Sequence, residues 1–336
     1  MKIAIISINK PSLESALRLK EYLRDYKTTI YTKEGLTEQK DIVEFKKLES
    51  ALAETWKKYS AIIAILAIGA VVRKVAPLLK SKESDPAVLV INLKLDRVIP
   101  LLSGHLGGAN ELAETISQRV PNCLNFISTA TDQTNTLAFD ILAKDRGWRI
   151  ENIKELAKIS NRLINREVVN VATYKSIFNS IENSKNLKLI DFKDIDKNSV
   201  VISPNFKSER LTLIPKVYIG IGCNRGTSKD IIKRAFLEFI EKHNIDLRDI
   251  AKIGSFEAKR DEEGLLEFVK EYNFKIEFFK KEDINNLERE FSKSASTKFF
   301  GLKGVAEPSS ILTSEYRELV IKKEVYFGAV TIALGV

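Results

Sequence analysis

The sequence predicts an α/β protein: an N-terminal α/β domain with a largely parallel sheet over residues 1–128, a small middle α+β module over 129–215, and a C-terminal α/β domain over 216–336. Three observations predict it. Short apolar runs alternate with amphipathic stretches as far as Ser128, the rhythm loosens from Thr129 to Pro215, and it restarts at Val217-Tyr218-Ile219-Gly220-Ile221-Gly222. A chain of 336 residues also exceeds what one hydrophobic core organises, and a 44% hydrophobic composition is ample for several.

Ile3 to Ile8 reads as a first strand and Ser12 to Arg24 as the amphipathic helix after it. Ala61 to Val72 reads as a buried strand continuing into a helix over Val71 to Leu79; it is too short for the ~20 apolar residues that span a bilayer and contains Gly69. Val88 to Ile91 is the next strand. Asn110 to Val120 is a helix because Leu112, Ala113, Ile116 and Val120 fall on one face. Ligands of parallel sheets sit at the carboxyl ends of strands, so the loops Gly69–Arg73, Lys80–Pro86 and Ser103–Gly108 are expected to share one mouth. In the middle module, helices over Thr136 to Lys144 and Asn152 to Ile164 precede or accompany strands at Val168 to Ala172, Leu187 to Ile190 and Val200 to Ile202. The polar, proline-bearing segment Ser203 to Arg210 marks its end. The last section reads as strand, glycine loop and helix, then strands at Lys252 to Ser255 and Lys275 to Phe279 around a helix at Glu262 to Tyr272, closing on adjacent strands in Glu318 to Lys322 and Glu324 to Leu334.

The net charge of +9, from 54 Lys and Arg against 45 Asp and Glu, is spread along the chain without a long basic run. That is a poor nucleic-acid footprint, and it suits an acidic small molecule equally well. The two cysteines, Cys123 and Cys223, belong to no metal-type cluster, which points to a reducing, cytoplasmic setting. The N-terminus shows no cleavage-site pattern and no membrane span is expected. Homo-oligomerisation is left open.

The densest candidate site is Leu101 to Ala113, where Ser103, Gly104, His105, Gly107, Gly108 and Asn110 sit in a loop opening onto a helix. A helix N-terminus favours anions, and His105 titrates near neutrality. Ser103 as a nucleophile is disfavoured because the stretch is not Gly-x-Ser-x-Gly, and neither glycine loop matches a dinucleotide or phosphate-loop fingerprint. Arg73 is a carboxylate ligand preferred over nearby lysines for its bidentate geometry. Asp132, in Thr129-Ala130-Thr131-Asp132, is a candidate base or a partner that orients His105. In the C-terminal section Cys223, Arg225, Gly226, Thr227 and Ser228 line a second helix start; Thr227 with Asp230 reads as a capping box, and Cys223 as a small semi-buried residue.

Gly69-Ala70-Val71-Val72-Arg73, Ala76-Pro77-Leu78-Leu79-Lys80, Asp85-Pro86-Ala87-Val88, Leu101 to Ala113 and Thr129 to Asp132, followed by Gly220 to Ser228, resemble in order the cobalamin-biosynthesis G protein family, the cobalt-precorrin-5A hydrolases of the anaerobic corrinoid pathway. Asn224 departs from it, standing where a basic residue is expected before Arg225. The resemblance covers essentially the whole chain. It implies that water opens the ring A acetate lactone of cobalt-precorrin-5A and that the C20 carbon and its methyl leave as acetaldehyde, giving cobalt-precorrin-5B. Cobalt then belongs to the substrate, and no protein-bound cofactor is implied. A macrocycle rimmed with carboxylates calls for helix N-termini, arginines and a wide cleft, for which the Gly222 to Ser228 loop is expected to offer an opposing wall. A non-catalytic carrier of corrinoid intermediates is the alternative, and nucleotide binding at Ser103 to Gly108 a weaker one.

Overall fold

The first apolar run forms β1 (Lys2–Ile6), buried at four of its five residues, as a strand covered on both faces requires. The computed structural model describes residues 1–81, 84–129, 136–293 and 301–336. It divides into two units, Met1–Asn135 and Thr136–Val336. In the first, β1 leads into α1 (Lys10–Tyr22) through Asn9, whose side-chain oxygen accepts the Ser12 N–H while the Ser12 hydroxyl accepts the Asn9 N–H. Then come β2 (Lys27–Lys33), β3 (Val43–Phe45), α2 (Leu48–Lys58), β4 (Ala61–Ala64), α3 (Ile68–Val75), β5 (Ala87–Ile91), β6 (Arg97–Leu102), α4 (Ala109–Arg119) and β7 (Leu124–Asn125).

These strands lie in the order β3-β2-β1-β4-β5-β6-β7. Every neighbouring pair is parallel except β5 and β6, which run antiparallel with Val88 opposite Leu102 and Ile91 opposite Val98. The chain winds outward from β1 to β3 and then returns to the other side at β4, so a topological switch point lies between β1 and β4. Leu13, Ala16 and Leu19 of α1 pack with Leu112, Ala113 and Ile116 of α4 in the core on one face. Ala51 and Leu52 of α2 and Val71 and Val75 of α3 cover the other.

The second unit contains two sheets. α5 (Phe139–Asp145), β8 (Arg149–Glu151), α6 (Leu156–Ile164), β9 (Val169–Ala172), α7 (Lys175–Asn179), β10 (Leu187–Ile190), β11 (Val200–Ile202) and β12 (Thr212–Ile214) build the first, in the order β10-β9-β11-β12-β8, parallel except for β8. β13 (Val217–Cys223), α8 (Lys229–Lys242), β14 (Ile250–Phe256), α9 (Glu263–Glu271), β15 (Ile276–Phe279), α10 (Lys281–Asn285), α11 (Ala306–Thr313), β16 (Leu319–Tyr326) and β17 (Val330–Gly335) build the second. Its order is β15-β14-β13-β17-β16, with β13, β14 and β15 parallel and β17 antiparallel to both neighbours. A continuous apolar cluster from Phe139 and Trp148 through Val171 and Leu213 to Phe236 and Leu334 gives both sheets a common core. Among the described residues no helix is long and apolar enough to cross a membrane.

Three adjacent strands of the last sheet carry a glycine where α11 crosses them. A Cβ on Gly220 would lie 1.8 Å from the Ala306 carbonyl oxygen, one on Gly254 2.6 Å from that of Ser309, and one on Gly335 2.7 Å from that of Ser310. The helix therefore rests on bare strand backbone. It carries Glu307, 3% exposed. That carboxylate accepts the Ser292 N–H and hydroxyl, both at 2.7 Å, and the Lys323 N–H at 2.9 Å. Burial pushes its pKa up, but these donors outweigh burial and hold it below the ordinary carboxylate range.

Gly220→Ala is expected to destabilise the protein by about 3 kcal/mol in urea unfolding, because backbone on both sides resists the added methyl; an unchanged midpoint would contradict this seating of α11. Glu307 has a depressed folded pKa, so its stabilisation is present above the unfolded value of about 4.3 and is lost as pH falls through the folded value. Urea midpoints should drop on acidification below about pH 4.5, and Glu307→Gln should be less stable at pH 7 with a flatter acid limb.

Candidate functional site

β6 runs against β5, and this places the loop after it. Ser103 to Gly108 lies at the amino ends of the parallel strands, where the Ser103 hydroxyl donates to the Asp85 carbonyl at 2.9 Å just before β5. The shared mouth expected at the carboxyl ends is therefore corrected. Asp85 and the Ser103–Gly108 loop do meet, but at the opposite end of the sheet. Asp85, 8% exposed, folds its carboxylate back onto the Lys80 N–H at 3.0 Å and closes its own turn. Arg73 lies in the last turn of α3, exposed, with its guanidinium donating to the Gly69 carbonyl at 3.3 Å.

The loop is tightly folded. Ser103 adopts a φ of 56° and Gly108, the residue before α4, one of 83°. A Cβ on Gly107 would sit 2.3 Å from the Ser103 Cβ and 2.7 Å from its carbonyl oxygen, so glycine alone fits that crossing. The N–H groups of Gly108, Ala109 and Asn110 donate to the carbonyls of His105, Ser103 and Gly104 at 3.0, 3.2 and 3.1 Å. Of the anion cradle expected from Gly107, Gly108 and Asn110, the Gly108 and Asn110 N–H groups are thus taken up by the loop's own carbonyls. Among the described residues, the N–H groups of Leu106 and Gly107 donate to no partner. Gly104 packs against the Asn110 side chain, whose amide donates to the Thr129 hydroxyl at 3.0 Å. His105 is half-buried between these turns. Asp132 lies outside the described residues, and β7 ends at Asn125, short of Thr129.

The second glycine loop follows β13, at the carboxyl ends of β13 and β14. The capping box read from Thr227 and Asp230 does not form: the Thr227 hydroxyl donates to the Asn224 carbonyl at 2.8 Å, and Ser228 precedes α8 without a side-chain cap. Arg225, expected to meet an anion, is paired with both oxygens of Asp261. The sequence reading missed Glu262, 4% exposed, which accepts the Gly226 N–H at 2.6 Å and the Lys259 ammonium at 3.2 Å. Thirty-six positions separate Gly226 from Glu262, and no local pattern announces the contact. Burial pushes the Cys223 thiol up to about 11, and the nearby Lys259 only partly offsets this.

A cavity of about 660 Å³ was also missed. It opens at the switch point, between the ends of β1 and β4 and the β5–β6 turn, and is lined by Ile8, Asn9, Leu66, Leu93, Lys94 and Arg97 among others. Its signal was present: Asn92 to Asp96 is a short, mostly polar link between two apolar runs, the mark of a hairpin.

Sequence comparison matches residues 50–132 to the cobalamin synthesis G N-terminal family, 137–215 to the cobalamin biosynthesis central region, and 217–335 to the cobalamin synthesis G C-terminus. Cobalt-precorrin-5A hydrolase of Priestia megaterium is 31% identical, across 99% of this chain and 94% of that protein. Cobalt-precorrin-5A hydrolase of Salmonella typhimurium is 28% identical, across 92% and 91%. A crystal structure of a candidate cobalamin biosynthesis protein G homolog from Sulfolobus solfataricus is 24% identical, covers 99% of this chain and 96% of that one, and superposes with a TM-score of 0.41.

Neutral at pH 7.5, Cys223 should be alkylated slowly by iodoacetamide in the native protein, with the rate rising about tenfold per pH unit towards about 11. Peptide mass spectrometry reads this; rapid labelling at pH 7.5 would show an activated thiol instead.

Proposed function

Since the chain belongs to the cobalamin synthesis G family, we propose that it is a cobalt-precorrin-5A hydrolase of cobalamin biosynthesis, opening the ring A lactone with water and releasing the C20 fragment as acetaldehyde. The observation that carries this reading is the end-to-end match to a cobalt-precorrin-5A hydrolase, 31% identical across 99% of the chain.

Lactone hydrolysis needs a base for the attacking water and donors for the oxygen that gains charge. The loop after β6 supplies both types of group side by side. His105 takes the water proton, and the adjacent N–H groups of Leu106 and Gly107, without partners among the described residues, donate to the developing oxyanion. As that intermediate collapses, protonated His105 returns its proton to the departing C20 oxygen, which frees the acetate carboxyl group, leaves a hydroxyl on C20 and regenerates the neutral imidazole. His105 then accepts the hydroxyl proton as the carbon-carbon bond to C20 breaks, the bonding pair passes to the conjugated macrocycle, and C20 departs with its methyl as acetaldehyde. Water is the only co-reactant this scheme requires, and cobalt enters as part of the substrate. Asp132 is assigned to orient His105, and Arg73 to hold one peripheral carboxylate.

Purified protein given cobalt-precorrin-5A should release acetaldehyde catalytically, detected by coupling to alcohol dehydrogenase and NADH. His105→Ala should lower kcat by about 10²–10⁴-fold with little change in KM. Stoichiometric binding without acetaldehyde would instead identify a carrier, and wild-type turnover by His105→Ala would remove the histidine from the mechanism.

A further inference from the structure

The switch-point cavity lies at the other end of β6 from His105. Six strand residues at 3.3 Å separate Arg97 from the loop after Leu102 by roughly 20 Å, so the cavity is a different place from the proposed catalytic loop. In an open, doubly wound sheet, the crevice outside the carboxyl ends of the strands at the switch point is where ligands bind. Here that crevice holds about 660 Å³, within the range of small-molecule sites.

Its lining specifies a chemistry. Ile8, Leu66 and Leu93 present apolar surface, and Leu93 is 47% exposed, unusual for a leucine held by a rigid turn. Lys94 and Arg97 add two cations against one carboxylate, Asp96. Lys94 is exposed and forms no ion pair among the described residues, while the Arg97 guanidinium donates to the Asp96 carbonyl at 2.6 Å, stays 3.9 Å from the Asp96 carboxylate and keeps its side chain 57% exposed. The turn is built to hold them. Leu95 is fully buried at a φ of 60°, a conformation costly for leucine. The Ser15 hydroxyl donates to the Leu93 carbonyl at 2.7 Å, and the Asn92 side-chain oxygen accepts the N–H groups of Asp96 and Arg97 at 3.1 and 3.2 Å. Backbone strain and side-chain clamps together fix a leucine and a free ammonium at the rim.

We propose that this cavity is a second corrinoid site, taking an apolar ring edge against Ile8, Leu66 and Leu93 and a peripheral carboxylate on Lys94 and Arg97. The assignment rests on the hydrolase reading for its ligand class and is independent of it for its location. In this role the chain retains a corrinoid at one end of the sheet while chemistry proceeds at the other.

Equilibrium dialysis of the full chain against cobyrinic acid, a corrin with free carboxylates, tests it by binding alone. Lys94→Glu/Arg97→Glu and Leu93→Asp, all at exposed positions, are expected to lose one bound equivalent relative to wild type, while Lys57→Glu, at an exposed position on α2, binds as many as wild type. Circular dichroism confirms that each variant is folded. Failure of the wild type to bind, an unchanged stoichiometry in Lys94→Glu/Arg97→Glu, or an equal loss in Lys57→Glu would overturn the assignment. A failed hydrolase reading shows separately, as absence of acetaldehyde from cobalt-precorrin-5A.

Discussion

The direction of β6 is the constraint from which the geometry of the N-terminal unit follows. A single antiparallel pairing, Val88 with Leu102 and Ile91 with Val98, sets β6, and β7 parallel to it, end for end against the other five strands. Everything after Leu102 is thereby delivered to the amino ends of its neighbours, where the Ser103 hydroxyl ties the loop to the Asp85 carbonyl and α4 packs back across the sheet. Had β6 run parallel, His105 would open into the switch-point crevice. Instead the His105 loop and the switch-point crevice lie at opposite ends of the sheet, and the buried Leu95 turn between β5 and β6 displays Leu93 and Lys94 at the crevice.

In the second unit buried carboxylates perform architecture. Glu262 accepts the Gly226 N–H and so fixes the loop after β13 to the segment before α9; Glu307 accepts the N–H groups of Ser292 and Lys323 and joins α11 to two distant segments. A carboxylate taken from water is tolerable only when donors replace its hydration, and backbone N–H groups at loop ends are themselves in need of acceptors. Glu262 thus occupies the Gly226 N–H, and the exposed Asp261 beside it pairs with Arg225.

Much of the fold was legible because the periodicity was strong. The face of α4 made by Leu112, Ala113 and Ile116 and the passage from β4 into α3 lie where apolar spacing placed them; β16 and β17 are adjacent as expected, but the break between them falls at Phe327–Ala329 rather than at Lys323. The sense of β6 was not legible, since Val98 to Leu102 is an apolar run that reads equally well in either direction. Only the five-residue link from Asn92 to Asp96, too short for a crossover to a parallel strand, encodes it. At the site, glycines announced the loop but not its internal hydrogen bonds: the three N–H groups from Gly108 to Asn110 are taken up by carbonyls of the same loop. Glu262 escaped because its partner is thirty-six positions away.

In the proposed reaction, water attacks the lactone carbonyl of a corrinoid substrate on this chain. Turnover of cobalt-precorrin-5A in H₂¹⁸O, followed by mass spectrometry of both products, tests it most directly. Acyl attack predicts one ¹⁸O in the ring A acetate of the corrinoid product and initially unlabelled acetaldehyde, read before solvent exchange. Label entering at C20, or a corrinoid that returns with its mass unchanged, would contradict the account.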